Sequence, residues 1–345
     1  MLAASFPFIH MGSLDIGLPI QSFGVIVAIG VLIGAGLLRR YAEWHGLSDE
    51  HIRGLTGWVT VAGFLGAHLF DVLAYQWKEL NENPILLFKL WAGISSYGGF
   101  IGGAIGFAIY VWWKRLPARL MADITIVGLL PAFSIGRIGC TVVSDHIGAL
   151  VDRGAWYASL AMNYPTDKDH ILPPIAQLAQ SHPKAVVDQH LLAWNLGLIE
   201  FLYLIPVNAL VLFLAFKASK KKEGASDTWV GAVNAGLVTV LTGLLYAPVR
   251  FGLDFLRPDD TDPRYLGLTF AQWASFLAFG AAAYVFVNIL RNGAAAETLT
   301  RTSGETQKKL KLVLKDNTEL EPEGKKSSSS EGDKETVVGK KKSDD

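Results

Sequence analysis

The sequence predicts an all-α polytopic membrane protein of about seven transmembrane helices, with a small extracytoplasmic head and a disordered cytoplasmic C-terminal tail. Three observations carry this. Hydrophobic residues make up 51% of the 345 and charged residues only 18%, a membrane-like balance. Seven stretches are apolar over the length of about 20 residues that a helix needs to cross a bilayer core. Charge is segregated, since residues 292–345 hold 11 of the 31 Lys/Arg and 11 of the 31 Asp/Glu. The net charge of zero therefore averages two unlike segments, and no concentrated basic face supports nucleic-acid binding.

Taken in order, Met1 to Gln21 contains no Lys or Arg, so it lacks the basic region of a cleavable secretory signal and the first apolar span is expected to stay in the mature protein. The spans fall at roughly 19–38, 54–77, 97–113, 120–143, 194–216, 229–252 and 268–290. Arg39, Arg40 and Arg53 follow the first span, Lys114, Arg115 and Arg119 the third, and Lys217, Lys220, Lys221 and Lys222 the fifth. The other short connections carry only Lys78 and Lys89, and Arg257 and Arg264. Basic loops stay cytoplasmic, which predicts an outside N-terminus and an inside C-terminus. The amphipathic piece around Asn83 to Trp91 is too short to span and is expected at the interface.

The long connection at about residues 144–193 then lies outside as a head, with Leu172 to Pro174 and Ser181 to Pro183 read as loop. From Asn292 the chain turns to Lys, Glu, Ser and Gly, including Ser327 to Ser330, a disordered composition. The expected organisation is a membrane domain over residues 1–291, head included, and a tail over 292–345. The single cysteine, Cys140, forms no internal disulfide, so the fold rests on helix packing.

Charge in the hydrocarbon region is costly and marks candidate function. Arg137, between Gly136 and Gly139 near the outer end of span four, has small neighbours that let a headgroup approach, and a guanidinium holds phosphate through two parallel hydrogen bonds. Tyr246, Arg250 and Asp254 recur every four residues and share a helical face, and Pro248 should free the Leu244 carbonyl there. Tyr97-Gly98-Gly99-Phe-Ile-Gly102-Gly103 allows close backbone approach, with its first two amides open to an anion at a helix N-terminus. Plainer readings stand beside these: Arg250 with Asp254 as a self-neutralising pair, Arg137 snorkelling to headgroups, the glycines as a packing seam, His68 with Asp71 as a buried hydrogen-bonded pair, and Asp123 and Asn208 as structural.

These pieces, in this order, resemble the prolipoprotein diacylglyceryl transferase family. Gly136-Arg-Ile-Gly-Cys140, followed by Asp145, His146 and Gly148, is similar to the family signature Gly-Arg-(Leu/Ile)-Gly-Asn with a following acidic residue and glycine. Tyr97 to Gly102 matches the pattern His-Gly-Gly-(hydrophobic)2-Gly except at its first position. Tyr246 to Arg257 resembles the late Tyr-x3-Arg-x3-Glu-x2-Arg stretch, Thr269 to Ser275, with Gln272, resembles Gly-Gln-x2-Ser, and Gly197 to Glu200 resembles Gln-Leu-Tyr-Glu. The family histidine is Tyr97 here, the asparagine Cys140, the signature glutamate Asp145, the late glutamate Asp254, an early tyrosine Phe23 and a second-span arginine His68.

The resemblance implies transfer of the diacylglyceryl group of phosphatidylglycerol to the lipobox cysteine of prolipoproteins, at the outer side of the bacterial cytoplasmic (inner) membrane. Arg137 and Arg250 match the family's two key arginines, and fixed cations suit charge developing on a phosphate leaving group. Tyr97, Asp145 and His146 join them as catalytic candidates, because the thiol must lose a proton and a phenol of ordinary pKa about 10 is a poor base at neutral pH. Gly98, Gly99, Gly102, Gly139, Cys140, Glu200, Tyr246, Asp254, Arg257 and Gln272 are the substrate-binding candidates. Expected partners are phosphatidylglycerol, prolipoproteins and membrane lipids. The alternative is a catalytically inactive relative that binds anionic phospholipid or a lipoprotein precursor. A transporter is disfavoured because the charges cluster at span ends and no inverted repeat is visible. No cofactor is called for, since the sequence has no Walker-type loop and no His/Cys cluster at ligand spacing.

Overall fold

The computed structural model describes residues 5–15, 19–45, 47–89, 93, 95–167, 171–217, 220–221, 229–230, 234–257 and 264–292. The expected disordered tail beyond residue 292 lies outside the described residues. Seven long helices coincide with the seven expected spans: α1 (Ser22–Trp44), α2 (Asp49–Ala74), α4 (Ser96–Trp113), α5 (Ala118–Val143), α7 (Leu196–Lys217), α8 (Leu237–Leu253) and α9 (Phe270–Asn292). Two short ones, α3 (Trp77–Glu82) and α6 (Pro173–Ser181), lie between them. Among the described residues six helices are long and apolar enough to cross a membrane. Helix α4, 18 residues long with glycines at 98, 99, 102, 103 and 106, is the long helix outside that group.

Those glycines buy contact with α2. A methyl added at Gly102 would come within 2.8 Å of the Gly66 Cα, and one at Gly106 within 2.9 Å of the Trp58 carbonyl oxygen. The two backbones touch, as small residues at a membrane helix interface allow. Gly34 and Gly128 play the same part between α1 and α5, where an added methyl on Gly128 would sit 2.6 Å from the Gly34 carbonyl oxygen. Helix α5 is the centre of the bundle, with 56% of its apolar window buried in protein against 11% for α9. Outward side chains such as Leu32, Phe64, Trp112 and Leu277 are exposed and suit lipid contact. The chain is a multi-pass membrane protein.

Helix ends follow local chemistry. Ser48 accepts the His51 amide at the start of α2, with Asp49 and Glu50 in its first turn, so the helix begins earlier than hydropathy alone suggests. Helix α8 begins later than expected, at Leu237. Gly236 precedes it with φ +94°, and Trp229–Val230 (β7) pairs instead with Lys220–Lys221 (β6). Asp123 of α5 caps α8 from outside, taking the Gly236 amide at 2.7 Å, the Thr239 amide at 2.8 Å and the Thr239 hydroxyl at 2.7 Å.

The segment between α5 and α7 departs from an all-α expectation. Ile147–Leu150 (β3), Met162–Pro165 (β4) and His190–Asn195 (β5) form an antiparallel sheet in the order β3-β5-β4, packed over Ile175 and Phe8. Leu172 to Pro174 is not loop: Pro173 sits in the first turn of α6, where its missing N–H costs nothing and its fixed φ suits a helix. Two hairpins flank the bundle on the same side, Ser13–Asp15 (β1) with Pro19–Gln21 (β2), and Arg264–Tyr265 (β8) with Leu268–Thr269 (β9).

Candidate active site

The C-terminal ends of α5 and α8 and the N-terminal ends of α4, α7 and α9 converge, and every charged candidate sits there. Arg137, one and a half turns before the end of α5, is 5% exposed. Its guanidinium lies over the Phe133 ring at 4.6 Å, and Nη1 approaches the Cys140 thiol at 3.8 Å. Its Nε is 3.2 Å from Glu200 Oε2, an ion-pair distance but off the line of a hydrogen bond, so that N–H has no hydrogen-bond partner among the described residues. Gly197 lets α7 in, since a methyl there would meet the Thr141 amide at 3.0 Å and Cys140 Cβ at 3.1 Å. Gly139 receives the Phe23 ring in the same way, at 2.9 Å from an added methyl.

Glu200 joins this to α8: the Tyr246 hydroxyl donates to its other oxygen. One turn on, Arg250 donates to Asp254 Oδ1 at 3.0 Å and to the Tyr97 hydroxyl at 2.9 Å. Asp254, 0% exposed, also receives the Thr269 hydroxyl and lies 3.4 Å from Arg257 Nε. Thr269 and Gln272 form a reciprocal cap on α9, with the Thr269 amide donating to Gln272 Oε1 at 3.0 Å and the Gln272 amide to Thr269 Oγ1 at 3.2 Å. The buried Gln272 Nε2 then has no partner among the described residues. Three guanidinium groups, Arg137, Arg250 and Arg257, thus gather with the buried carboxylates of Glu200 and Asp254 and with Asp145 just past α5, and the guanidiniums are the groups there that suit phosphate.

Just past α5, Ser144 takes a left-handed turn with φ 54° and turns the chain back. His146 Nδ1 meets Asp145 Oδ1 at 2.6 Å, and Cys140, Asp145 and His146 each offer an atom within 4.8 Å of the others. Burial is the largest cause holding the His146 imidazole below its ordinary pKa, opposed by Asp145 and reinforced by Arg257 and Arg137.

The family model for prolipoprotein diacylglyceryl transferase matches residues 12–288. The chain belongs to that family. It is 25% identical over 244 residues to phosphatidylglycerol–prolipoprotein diacylglyceryl transferase 2 of Clostridium perfringens, covering 70% of this chain and 81% of that one. To the phosphatidylglycerol–prolipoprotein diacylglyceryl transferase of Thermosynechococcus vestitus it is 26% identical, over 72% of this chain and 81% of the relative. To that of Synechococcus elongatus it is 25% identical, over 90% and 98%.

Within this prolipoprotein diacylglyceryl transferase fold, Arg137, Cys140, Asp145, His146, Glu200, Tyr246, Arg250, Asp254, Arg257, Gln272 and Tyr97 assemble at one end. The glycines divide. Gly98 and Gly102 are buried against α2, which is the packing-seam reading, and the Gly99 amide donates to the Ser95 carbonyl at 3.0 Å. The Arg250–Asp254 pair does form, but Arg250 also reaches Tyr97, so it does not merely neutralise itself. His68 does not pair with Asp71. Its two ring nitrogens face the carbonyls of Gly93 at 3.3 Å and Leu87 at 3.2 Å, while Asp71 takes Gln76 Nε2 at 2.5 Å. Near Pro248 the Leu245 carbonyl takes the Tyr203 hydroxyl at 2.8 Å. Sequence reasoning missed Thr269 and Phe133 as site residues. Thr269 was detectable as the first position of a Thr-x-x-Gln capping box, whereas nothing local marks Phe133.

Proposed function

We propose that this protein transfers the diacylglyceryl group of phosphatidylglycerol to the lipobox cysteine thiol of prolipoproteins, releasing glycerol phosphate at the outer face of the bacterial cytoplasmic membrane. The observation that carries the reading is the convergence of Arg137 and Arg250, each held by a buried carboxylate, at one end of a bundle that matches the family over residues 12–288. In this reading the two guanidiniums stabilise charge growing on the phosphate as its bond to the glyceryl carbon breaks. The misaligned Arg137 N–H and the unpartnered Gln272 amide are donors available to the headgroup. Tyr97 holds the Arg250 guanidinium in place, and Asp145 and His146 stand where a thiol proton would be handled. Basic loops at the opposite end of the bundle support an outside N-terminus and a cytoplasmic C-terminus.

One observation favours a second reading, a lipid-binding relative without turnover: Tyr97 and Cys140 occupy the positions of the family pattern's histidine and asparagine. Purified protein supplied with phosphatidylglycerol and a lipobox peptide separates the two. Release of glycerol phosphate that is lost in Arg137→Ala and Arg250→Ala supports the transferase. Phosphatidylglycerol binding by well-folded protein with no release supports the binding relative.

A further inference from the structure

We propose that His68 of α2 is a positioning residue for the transfer: its ring clamps the connection between α2 and α4 and so sets where Tyr97 meets Arg250. The inference rests on the transferase reading for the reaction that Tyr97 serves, though not for the clamp itself.

His68 is 1% exposed, and both of its ring nitrogens meet backbone carbonyls of that connection. Nδ1 lies 3.3 Å from the Gly93 carbonyl oxygen and Nε2 lies 3.2 Å from that of Leu87. A carbonyl only accepts, and a neutral imidazole has a single N–H. The two bonds therefore coexist only in a ring that carries a hydrogen on each nitrogen. One buried side chain then ties two separate points of the connection to α2.

Local packing shows why the clamp matters. The turn Pro84–Phe88 leaves Ile85 and Phe88 exposed and buries Leu86, so two hydrogen bonds weigh heavily in fixing it. Gly93 is the tight point. A methyl there would run into the Asp71 carboxylate and come within 2.9 Å of Gln76 Nε2, and Asp71 and Gln76 are themselves joined at 2.5 Å. Three side chains thus close on one glycine.

From Gly93 the path to the charged centre is short. The Ser95 amide donates at 3.0 Å to the carbonyl of Ala67, the neighbour of His68 in α2. Tyr97 follows in the first turn of α4, and its hydroxyl takes Arg250 Nη2 at 2.9 Å. A shift of the chain at Gly93 is therefore carried to the phenol that holds Arg250. A misplacement of about 1 Å at a reacting centre is enough to cost a hundredfold in rate.

The nitrogen resonances of isotope-labelled histidine read the clamp on wild-type protein in detergent. Both His68 nitrogens, assigned by their absence from His68→Arg, should carry hydrogen at the assay pH. His68→Gln should speed amide exchange at Leu86 and Lys89, whose amides close the turn, and leave exchange elsewhere unchanged. It should lower kcat for glycerol phosphate release about tenfold with KM little changed. His68→Arg, with a fixed charge and several N–H donors, should keep most of the wild-type kcat. In a Tyr97→Phe background His68→Gln should cost less than about twofold more, because both changes act through the same hydroxyl. A His68 nitrogen without hydrogen, or unchanged exchange at Leu86 and Lys89, overturns the clamp. An undiminished kcat in His68→Gln, or a loss that multiplies with that of Tyr97→Phe, overturns positioning through Tyr97. Wild-type protein with the protonated ring and the exchange difference, but no glycerol phosphate release, upholds the clamp and rejects the transferase reading.

Discussion

The Arg250 guanidinium bridges two helices, donating to Asp254 at 3.0 Å and to the Tyr97 hydroxyl of α4 at 2.9 Å. A hydrogen bond to a charged group contributes about 1.5–3 kcal/mol, and each 1.4 kcal/mol is tenfold in rate. Tyr97→Phe should therefore lower kcat/KM for glycerol phosphate release about tenfold to a hundredfold, with little change in folding. If Tyr97 were instead the group that takes the thiol proton, the loss would exceed a thousandfold. Unchanged kcat/KM would remove Tyr97 from the site.

Glu200 serves two partners, Arg137 at 3.2 Å and the Tyr246 hydroxyl, and is 2% exposed. Removing one member of a buried pair leaves the other charge uncompensated, at a cost of about 3–5 kcal/mol. Glu200→Gln should lower the melting temperature in detergent, and Arg137→Ala should do the same. The double variant should lose less than the sum of the two, because neither charge is then orphaned. Additive losses would mean that the pair does not interact.

Much of this was legible in the chain, and the reasons for the rest are specific. Hydropathy located every long helix because lipid-facing residues such as Leu32 and Leu277 are apolar regardless of packing. Period four placed Arg250 against Asp254, since both lie on one helix. Contacts between helices left no such trace: nothing near Glu200 names Tyr246, and nothing near Asp254 names Thr269. The strands of the head, four to six residues long, carry too little alternation to be read. Cys140 approaches Asp145 and His146 only because Ser144 turns left-handed, a backbone choice that spacing does not reveal.

Gly102 and Gly136 are both in long helices, yet only one is pressed against another backbone. A methyl at Gly102 would come within 2.8 Å of Gly66 Cα, while one at Gly136 meets nothing within 4 Å. Overpacking of a close contact costs about 1–3 kcal/mol. Gly102→Ala should lower the melting temperature and, by separating α4 from α2, displace Tyr97 and reduce activity. Gly136→Ala should be neutral or slightly stabilising through helix propensity. Equal behaviour of the two would show that α2 and α4 do not pack through their glycines.

Asp123 is far from the charged centre, at the opposite end of α5, but it holds the start of the helix that carries Tyr246 and Arg250. Its two oxygens accept the Gly236 amide, the Thr239 amide and the Thr239 hydroxyl at 2.7–2.8 Å, and it is 3% exposed. Asparagine keeps the shape but replaces one acceptor oxygen by an amide that faces a donor, leaving at least one buried N–H unsatisfied at about 1–3 kcal/mol. Asp123→Asn should therefore lower the melting temperature, while kcat/KM at a temperature where the variant is folded stays within a few-fold of wild type, because the cap fixes stability and not the reacting geometry. A drop in kcat/KM as large as that of Arg250→Ala, without a drop in melting temperature, would place Asp123 in the chemistry and overturn the structural role.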